Sequence, residues 1–275
     1  MAIILTVAIE KGGAGKTTTV VNLAALMAQE GKRVLAVDID KQANTTAQLT
    51  GFDEYEGHFA GCGVFDLIRS FDMDTGRFVA KTKIEGIDLI PANRDVELIP
   101  AMEELFKAQR RGEKFEFLSR ALAGIEDNYD YIIIDTPPSN PDLTRNALLA
   151  SDYVVIPLNL TQSNVSGLYG IYGMCEDIVQ NHGGAAEILG ILMTRVRANL
   201  NLVKNIRSQI EASDWGKDLF AASIRESALV QESESFYQPV VTYAPASRPS
   251  QDYREFYEEL KQRIQAAEKR HEEEE

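Results

Sequence analysis

The residues with the clearest chemical potential form a glycine-rich segment near the start of the chain. The apolar stretch Ile3–Ile9 is followed by residues 10–18, which read Glu-Lys-Gly-Gly-Ala-Gly-Lys-Thr-Thr, and then by a helical pattern. Glycines let backbone N–H groups converge on phosphate oxygens, and the N-terminus of a helix adds a partial positive charge. Lys16 is placed to reach β- and γ-phosphates, and Thr17 to offer its hydroxyl to Mg²⁺. We therefore predict a nucleotide-binding loop here.

Three aspartates stand at or just beyond the ends of apolar stretches. Asp135 follows Tyr131–Ile134, and Asp38 and Asp40 flank Ile39. Open parallel α/β sheets bind ligands at the carboxyl ends of their strands, so we expect Asp135 to contact Mg²⁺ through water. Side chains alternate along a strand, and this predicts that Asp38 and Asp40 point to the same side, toward the phosphates.

The elements that must position these residues are short apolar stretches alternating with longer amphipathic ones. The apolar stretches lack in/out alternation, which is typical of strands covered on both faces in a parallel sheet. The predicted strands are Ile3–Ile9, Arg33–Asp38, Tyr131–Ile134, Tyr153–Pro157 and Ile188–Met193. The predicted helices are Thr17–Gln29, Arg94–Arg110, Glu113–Leu122, Pro141–Leu149, Ser166–Val179, Leu202–Ala212 and Ser250–Arg270.

This rhythm predicts an α/β fold in which a mostly parallel central sheet carries helices on both faces. No internal repeat and no linker-like segment interrupts it, so we expect a single domain over residues 1–270, followed by an acidic tail at residues 271–275.

Composition narrows the class of protein further. The chain has 28 Lys+Arg against 42 Asp+Glu, a formal net charge of −14, so any DNA contact must be a local patch. Two distant cysteines and three scattered histidines give neither a disulfide framework nor zinc-ligand spacing. We expect a cytoplasmic protein, because the N-terminal apolar stretch is too short for a signal peptide or a membrane span.

Several motifs resemble those of one known family. The segment Lys11–Thr18 resembles the deviant Walker A motif of the ParA/MinD family of ATPases. Val37–Asp40, with Gln42 and Asn44, is similar to the family's switch segment, and Tyr131–Ser139 to its Walker B strand and the switch after it. The resemblance covers essentially the whole chain in order. It implies a P-loop NTPase fold, the use of ATP and Mg²⁺, and an ATP-dependent homodimer.

The resemblance also implies roles for individual residues. Lys11 would cross a dimer interface to touch the partner's nucleotide. Asp40 would position or activate the attacking water, and Asp38 would support the magnesium shell. The expected nucleotide-binding residues are Lys11, Gly12, Gly13, Ala14, Gly15, Lys16, Thr17, Thr18, with Thr194 near the adenine. The expected catalytic residues are Lys11, Lys16 and Asp40, and the expected metal ligands are Thr17, Asp38 and Asp135.

The sequence departs from the family pattern in two places. In the switch segment, Lys41 replaces the usual proline and Ala43 the usual glycine, so we expect a different loop path there but retained hydrolysis. Glu226 and Leu229 stand where the family has arginines that serve DNA binding. A replacement patch is expected from nearby basic residues, namely Arg195, Arg197, Lys204, Arg207 and Arg225.

These observations predict a ParA-like partition ATPase. Its ATP-bound dimer would bind DNA non-specifically on the nucleoid and be released when a ParB-like partner stimulates hydrolysis. The acidic C-terminal helix argues against membrane binding, and we expect no recognition of an operator by an N-terminal helix-turn-helix segment. Two alternatives stay open: a positioning ATPase for a protein cargo, and an ATP-dependent ligase of the dethiobiotin or cobyrinate type, which shares the fold.

Overall fold

A computed structural model describes residues 1–51, 58–70, 74–94, 103–104, 107, 114–159, 162–197 and 201–274. Within them lie the strands β1 (Ile3–Val7), β2 (Val34–Asp38), β3 (Ala80–Lys81), β4 (Ile87–Ile90), β5 (Tyr131–Asp135), β6 (Tyr153–Asn159), β7 (Glu187–Val196) and β8 (Leu219–Arg225). These strands form one sheet in the order β3-β4-β2-β5-β1-β6-β7-β8.

Parallel pairing dominates this sheet. In the described part of the chain only the short strand β3 runs antiparallel to its neighbour, β4. Strand β5 lies between β1 and β2, and Asp135 is paired with Val7 on one side and with Asp38 on the other. The carboxyl ends of the three strands are therefore level, and whatever follows them converges on one edge of the sheet. The predicted mostly parallel α/β sheet is confirmed.

Helices cover both faces of the sheet. They are α1 (Lys16–Gln29), α2 (Asn44–Thr50), α3 (Val64–Ser70), α4 (Phe117–Ala123), α5 (Pro141–Leu149), α6 (Gln162–His182), α7 (Asn201–Glu211), α8 (Ala228–Ser235), α9 (Val240–Tyr243) and α10 (Arg248–Glu274). Apolar residues of α1, α9 and α10 pack on one face, and those of α3 to α7 on the other. Strand residues are buried on both sides, which explains why their sequences lack alternation.

The predicted elements differ from the observed ones mainly at their ends. All five predicted strands are present, whereas β3, β4 and β8 were not predicted. The predicted helix Arg94–Arg110 lies almost entirely outside the described residues. The expectation of a separate acidic tail at residues 271–275 is wrong for residues 271–274, which continue α10 to its end at Glu274, and residue 275 lies outside the described residues. None of the helices in the described ranges combines the length and apolar character that a membrane span requires.

Helix α10 is held to the sheet by a continuous apolar stripe. Its members are Tyr253, Phe256, Tyr257, Leu260 and Ile264, all at most 3% exposed. The Phe256 ring meets that of Phe220 on β8 edge to face, with centroids 4.9 Å apart. The i, i+3, i+4 spacing of the stripe predicted this packing.

Polar side chains of α10 also bind the backbone of the sheet. The carboxylate of Glu259 accepts hydrogen bonds from the N–H groups of Ala221 and Ala222 on β8, both at 3.0 Å. The guanidinium of Arg263 donates to the carbonyls of Leu189, Asp218 and Leu219. Helix α10 therefore closes the outer end of the sheet with both apolar and charged contacts.

This packing predicts a large stability loss for Phe256→Ala. Removing a fully buried phenyl ring leaves a cavity between α10 and β8, which costs about 3–5 kcal/mol in the free energy of unfolding. Gln265→Ala changes an exposed position of the same helix and should stay within about 0.5 kcal/mol of the parent. Urea denaturation of both variants checks this. Equal unfolding midpoints for the two would show that the stripe contributes little.

Candidate functional site

The glycine-rich segment forms the turn between β1 and α1. Gly13 and Gly15 have φ values of 72° and 84°, a left-handed conformation that side chains rarely adopt. A Cβ added at Gly12 or Gly13 would meet no described atom within 4 Å, so both glycines border open space. The first turn of α1 holds no acidic residue, which leaves its N–H groups and partial positive charge available to an anion.

The loop opens into a cleft of about 440 Å³, here called the loop cleft. Residues from four further segments line it beside the loop and α1. The lining residues are Gly12 to Thr18, Val21, Asp40, Gln42, Asn44, Gln48, Pro138, Arg195 and Glu234. The predicted phosphate-binding residues from Gly12 to Thr18 are thus brought together on one wall, and Asp40 stands on another.

Lys16 is bent back onto the loop that precedes it. Its Nζ donates to the carbonyls of Lys11 at 3.1 Å and Ile9 at 3.4 Å. Burial lowers the pKa of this ammonium, while the nearby carboxylates of Asp135 and Asp40 raise it. The charge of Lys16 is therefore buried at the base of the cleft, beside the position where the loop would hold phosphate.

Lys11 does not line the loop cleft. Its backbone carbonyl receives Lys16, and its partly exposed side chain lies near Gly167 of α6. The lysine that the resemblance assigns to a partner's nucleotide is thus outside its own chain's cleft.

Asp135 is a fully buried polar group of the site. Its Oδ2 accepts hydrogen bonds from the hydroxyls of Thr17 and Thr45, both at 2.7 Å. Its Oδ1 is buried and has no hydrogen-bond partner among the described residues. Burial raises the pKa of this carboxyl to about 6, against the opposing effect of the two hydroxyls.

This arrangement suits a magnesium ion. Mg²⁺ takes oxygen ligands in octahedral geometry, usually one or two protein groups together with water and phosphate oxygens. The hydroxyl of Thr17 and the unpartnered oxygen of Asp135 are such groups. In the described ranges no three His, Cys, Asp or Glu side chains cluster as a complete metal site, so phosphate and water would have to supply the remaining ligands.

Asp38 and Asp40 are separated by the end of β2. Asp38 is fully buried, and its oxygens accept from Thr46 N–H and hydroxyl, both at 2.8 Å, and from Asp40 N–H at 3.1 Å. Burial and the charge of Asp135 raise the pKa of Asp38. Only Asp40 lines the cleft. Strand alternation ends with β2 at Asp38, and Asp40 belongs to the turn that follows, so the expectation that Asp38 also faces the phosphates stays a prediction.

The turn after Asp40 has a left-handed residue at Ala43, a conformation that favours glycine, although alanine replaces the family's usual glycine there. Ala43 has a φ of 53° and donates its N–H to the Asp40 carbonyl at 2.8 Å. A left-handed alanine costs about 1–2 kcal/mol, so the surrounding contacts must hold it in place. The Asp40 carboxylate accepts from Gln42 N–H at 3.0 Å, and burial raises the pKa of Asp40.

Thr194 supports the loop from behind. Its hydroxyl donates to the carbonyl of Ala14 at 2.8 Å, and its methyl group lies beside Gly15. It also lines a smaller side pocket next to Thr18, together with Val230 and Tyr253. Thr194, which we predicted to lie near the adenine, therefore lies at the edge of this side pocket.

The five basic residues predicted as a DNA-binding patch have different surroundings. Arg225 pairs with the buried Asp252 through two hydrogen bonds of 2.6 and 2.7 Å. Arg197 forms an ion pair with Glu226, and Arg207 forms one with Glu211 at 2.8 Å. Arg195 lines the loop cleft. Lys204 is exposed on α7 and has no ion pair among the described residues.

Sequence reasoning did not assign Val21, Gln48 or Glu234 to the cleft, and it placed Arg195 in the DNA-binding patch. The carboxylate of Glu234 accepts from the Thr18 hydroxyl at 2.6 Å across 216 positions of sequence. Its carbonyl accepts from Gln48 Nε2 at 2.8 Å. No local pattern marks such contacts, because they depend on where α8 is placed.

Comparison with known proteins agrees with this geometry. Residues 2–188 match the family described as an AAA domain. The chain is 34% identical to the sporulation initiation inhibitor protein Soj of Bacillus subtilis, over 94% of this chain and 98% of the relative. It is 33% identical to the chromosome-partitioning ATPase Soj of Thermus thermophilus, over 94% and 95% of the two chains.

A solved structure shares both the fold and part of the sequence. Cobyrinic acid a,c-diamide synthase from Mycobacterium smegmatis, with bound ADP and magnesium, superposes with a TM-score of 0.80 at 28% identity, covering 97% of each chain. The family match and the two Soj relatives span most of the sequence, including the loop, the switch segment and β5. The chain therefore belongs to the ParA/Soj-type family of partition ATPases.

Proposed function

We propose that this partition ATPase is a nucleotide-controlled switch, in which Mg·ATP drives formation of a dimer that binds DNA and hydrolysis releases it. One observation carries the proposal. The phosphate loop, the buried Asp135 with its unpartnered oxygen, and the cleft-lining Asp40 converge at the level ends of β1, β2 and β5.

ATP and Mg²⁺ are the proposed ligands of the loop cleft. The loop N–H groups and Lys16 would hold the phosphates, and Thr17 with Asp135 would hold the ion, which neutralises phosphate charge when bound. The hydrogen bonds of Asp38 give it a supporting role, because it fixes the start of α2 and the turn at Asp40. A related synthase structure with ADP and magnesium supports this assignment.

Asp40 is proposed to orient the attacking water. Its carboxylate lines the cleft and is fixed by the Gln42 N–H, and it is only 9% exposed. Phosphoryl transfer depends mainly on positioning and charge neutralisation, so a fixed carboxylate is sufficient for this task.

Lys11 is proposed to act across a dimer interface. Its side chain is partly exposed and lies outside its own cleft, which leaves this long flexible cation available to a nucleotide bound by a partner. A positive charge supplied in trans would stabilise the charge that develops on the γ-phosphate. Nucleotide state would then control assembly, since hydrolysis removes the group that both subunits contact.

DNA and a stimulating protein are the proposed partners of the dimer. Relatives named for chromosome partition support this, and a ParB-like protein would trigger hydrolysis on the nucleoid. Of the five predicted basic residues, Lys204 is exposed and has no ion pair in the described ranges, and Arg197 is 65% exposed although paired. These two are the proposed phosphate contacts.

The similarity to cobyrinic acid a,c-diamide synthase supports a second candidate, an ATP-dependent ligase. A ligase couples ATP cleavage to an acid substrate, whereas a switch hydrolyses ATP slowly without one. Steady ATP turnover with no added acid, stimulated by DNA and a ParB-like protein, would favour the switch.

Lys11→Ala should bind ATP but fail to dimerise productively. The loop N–H groups and Lys16 remain in the variant, so nucleotide affinity of the monomer is retained, while the charge in trans is lost. Light scattering with ATP measures the oligomer mass, and turnover is measured in parallel. Lys41→Ala, which removes an exposed lysine from the neighbouring switch segment, is the matched control. Normal dimerisation and full turnover in Lys11→Ala would refute the role in trans.

Asp40→Ala should slow ATP hydrolysis by about 10²-fold or more, as expected for the loss of a positioned acid–base group. Nucleotide affinity should change little, and the variant should accumulate as an ATP-bound dimer. Single-turnover hydrolysis and equilibrium ATP binding separate the two effects. Hydrolysis at the parental rate would mean that Asp40 serves only the turn.

DNA binding by the ATP-bound protein should be sequence-independent and strongly dependent on salt. Two or three phosphate contacts per subunit would give a log–log salt slope of roughly −4 to −5. Lys204→Glu should reduce the magnitude of that slope by about 2 in the dimer. Lys32→Glu is the control, because it makes the same charge change just before the amino end of β2. Fluorescence polarisation with unrelated duplexes measures both. An ATP-bound dimer without DNA affinity at low salt would exclude the nucleoid as its track.

A further inference from the structure

Glu234 joins three elements of the nucleotide site. It lies near the end of α8, and its carboxylate accepts the hydroxyl proton of Thr18 in the first turn of α1 at 2.6 Å. Its backbone carbonyl accepts from the side chain of Gln48 on α2 at 2.8 Å. One residue therefore connects the phosphate-binding helix, the helix after the switch segment, and α8.

The position of this carboxylate is chemically unusual. The N-terminus of α1 attracts anions, and its own first turn contains no acidic residue. The acid is supplied from a distant segment, and it lines both the loop cleft and the side pocket. An anionic side chain thus occupies part of the region in which the proposed function places an anionic ligand.

Thr18 can satisfy only one of these two anions. A threonine hydroxyl has a single proton to donate, and in this structure Glu234 receives it. A nucleotide phosphate bound at the first turn of α1 would require the same proton. It would also lie a few ångströms from the carboxylate, and two like charges at that distance repel each other.

We propose that Glu234 competes with the nucleotide phosphates for Thr18, and so sets nucleotide affinity and reports occupancy to α8. This inference rests on the proposed function of the loop cleft. Through these contacts Glu234 holds α8 against α1 and α2. Binding of a nucleoside diphosphate or triphosphate displaces the carboxylate and loosens that attachment.

The connection of α8 to the rest of the chain gives this displacement a consequence. The helix follows β8 directly, after Arg225 and Glu226, and the Ser227 hydroxyl caps it by accepting from Leu229 N–H. Arg197 pairs with Glu226 and is one of the proposed phosphate contacts for DNA. Movement of α8 would therefore shift Glu226, the ion-pair partner of Arg197.

The test is the substitution Glu234→Gln. Glutamine keeps the size of the side chain and its ability to accept from Thr18, but it removes the charge. We expect Mg·ADP and a magnesium complex of a non-hydrolysable ATP analogue to bind about tenfold more tightly, because both carry the phosphates that the carboxylate repels. Glu232→Gln is the matched control, since Glu232 lies on the same helix but contacts Tyr243 at 2.8 Å. Titration calorimetry gives both affinities.

Amide hydrogen exchange of residues 228–235 is the second measurement. In the parent, exchange in this segment should increase when Mg·ADP is added. In Glu234→Gln exchange should stay slow without nucleotide, because the amide oxygen still accepts from Thr18 and the backbone carbonyl still accepts from Gln48, and it should increase when Mg·ADP is added. A general loss of stability would not tighten nucleotide binding, so the two results together separate competition from a structural defect.

Three outcomes would overturn the inference or its basis, and they are distinguishable. Unchanged affinity in Glu234→Gln refutes competition. Weaker binding of ADP, with 2′-deoxy-ADP unaffected, would instead make Glu234 a ligand of the ribose. Failure of the parent protein to bind any adenine nucleotide would refute the proposed function itself.

Discussion

The buried carboxylate of Asp135 is the group on which the arrangement of the site depends. It is fixed by two parallel neighbours, since β5 is paired in register with β1 on one side and β2 on the other. One of its oxygens accepts from Thr17 and Thr45. Thr17 is in the first turn of α1, which follows β1, and Thr45 is in the first turn of α2, which follows β2. Strand register therefore determines how the phosphate loop and the switch segment meet. A shift of either strand by one residue would separate hydroxyl from carboxylate.

The electrostatics of the site oppose those of the chain as a whole. A chain with a net charge of −14 must attract an anionic nucleotide with local charges only. Backbone N–H groups, the N-terminus of α1 and the buried Lys16 supply them. Burial raises the pKa of Asp38, Asp40 and Asp135, and the charge of a neighbouring aspartate raises the pKa of Asp38 and Asp135 further. A divalent cation would offset the negative charge of these carboxylates and of the phosphates, so binding of the metal and binding of the nucleotide would favour each other.

Much of the fold and the loop could be predicted from sequence because both depend on local patterns. Doubly apolar strands, glycines before Lys16 and an aspartate at a strand end are signals within a few residues of one another. The different environments of Asp38 and Asp40 could not be predicted, since they depend on where β2 ends. Glu234 gave no signal, because its contact with Thr18 depends on the packing of α8, and the pairing of Arg225 with Asp252 likewise depends on α10.

Helix α10 also protects the chain from uncontrolled association. Strand β8 is the last strand of the sheet, and an uncovered edge strand offers N–H and C=O groups to any other strand. Glu259 occupies two such N–H groups and Arg263 binds carbonyls at the start of the same strand. A second chain therefore cannot extend the sheet at those positions by edge pairing.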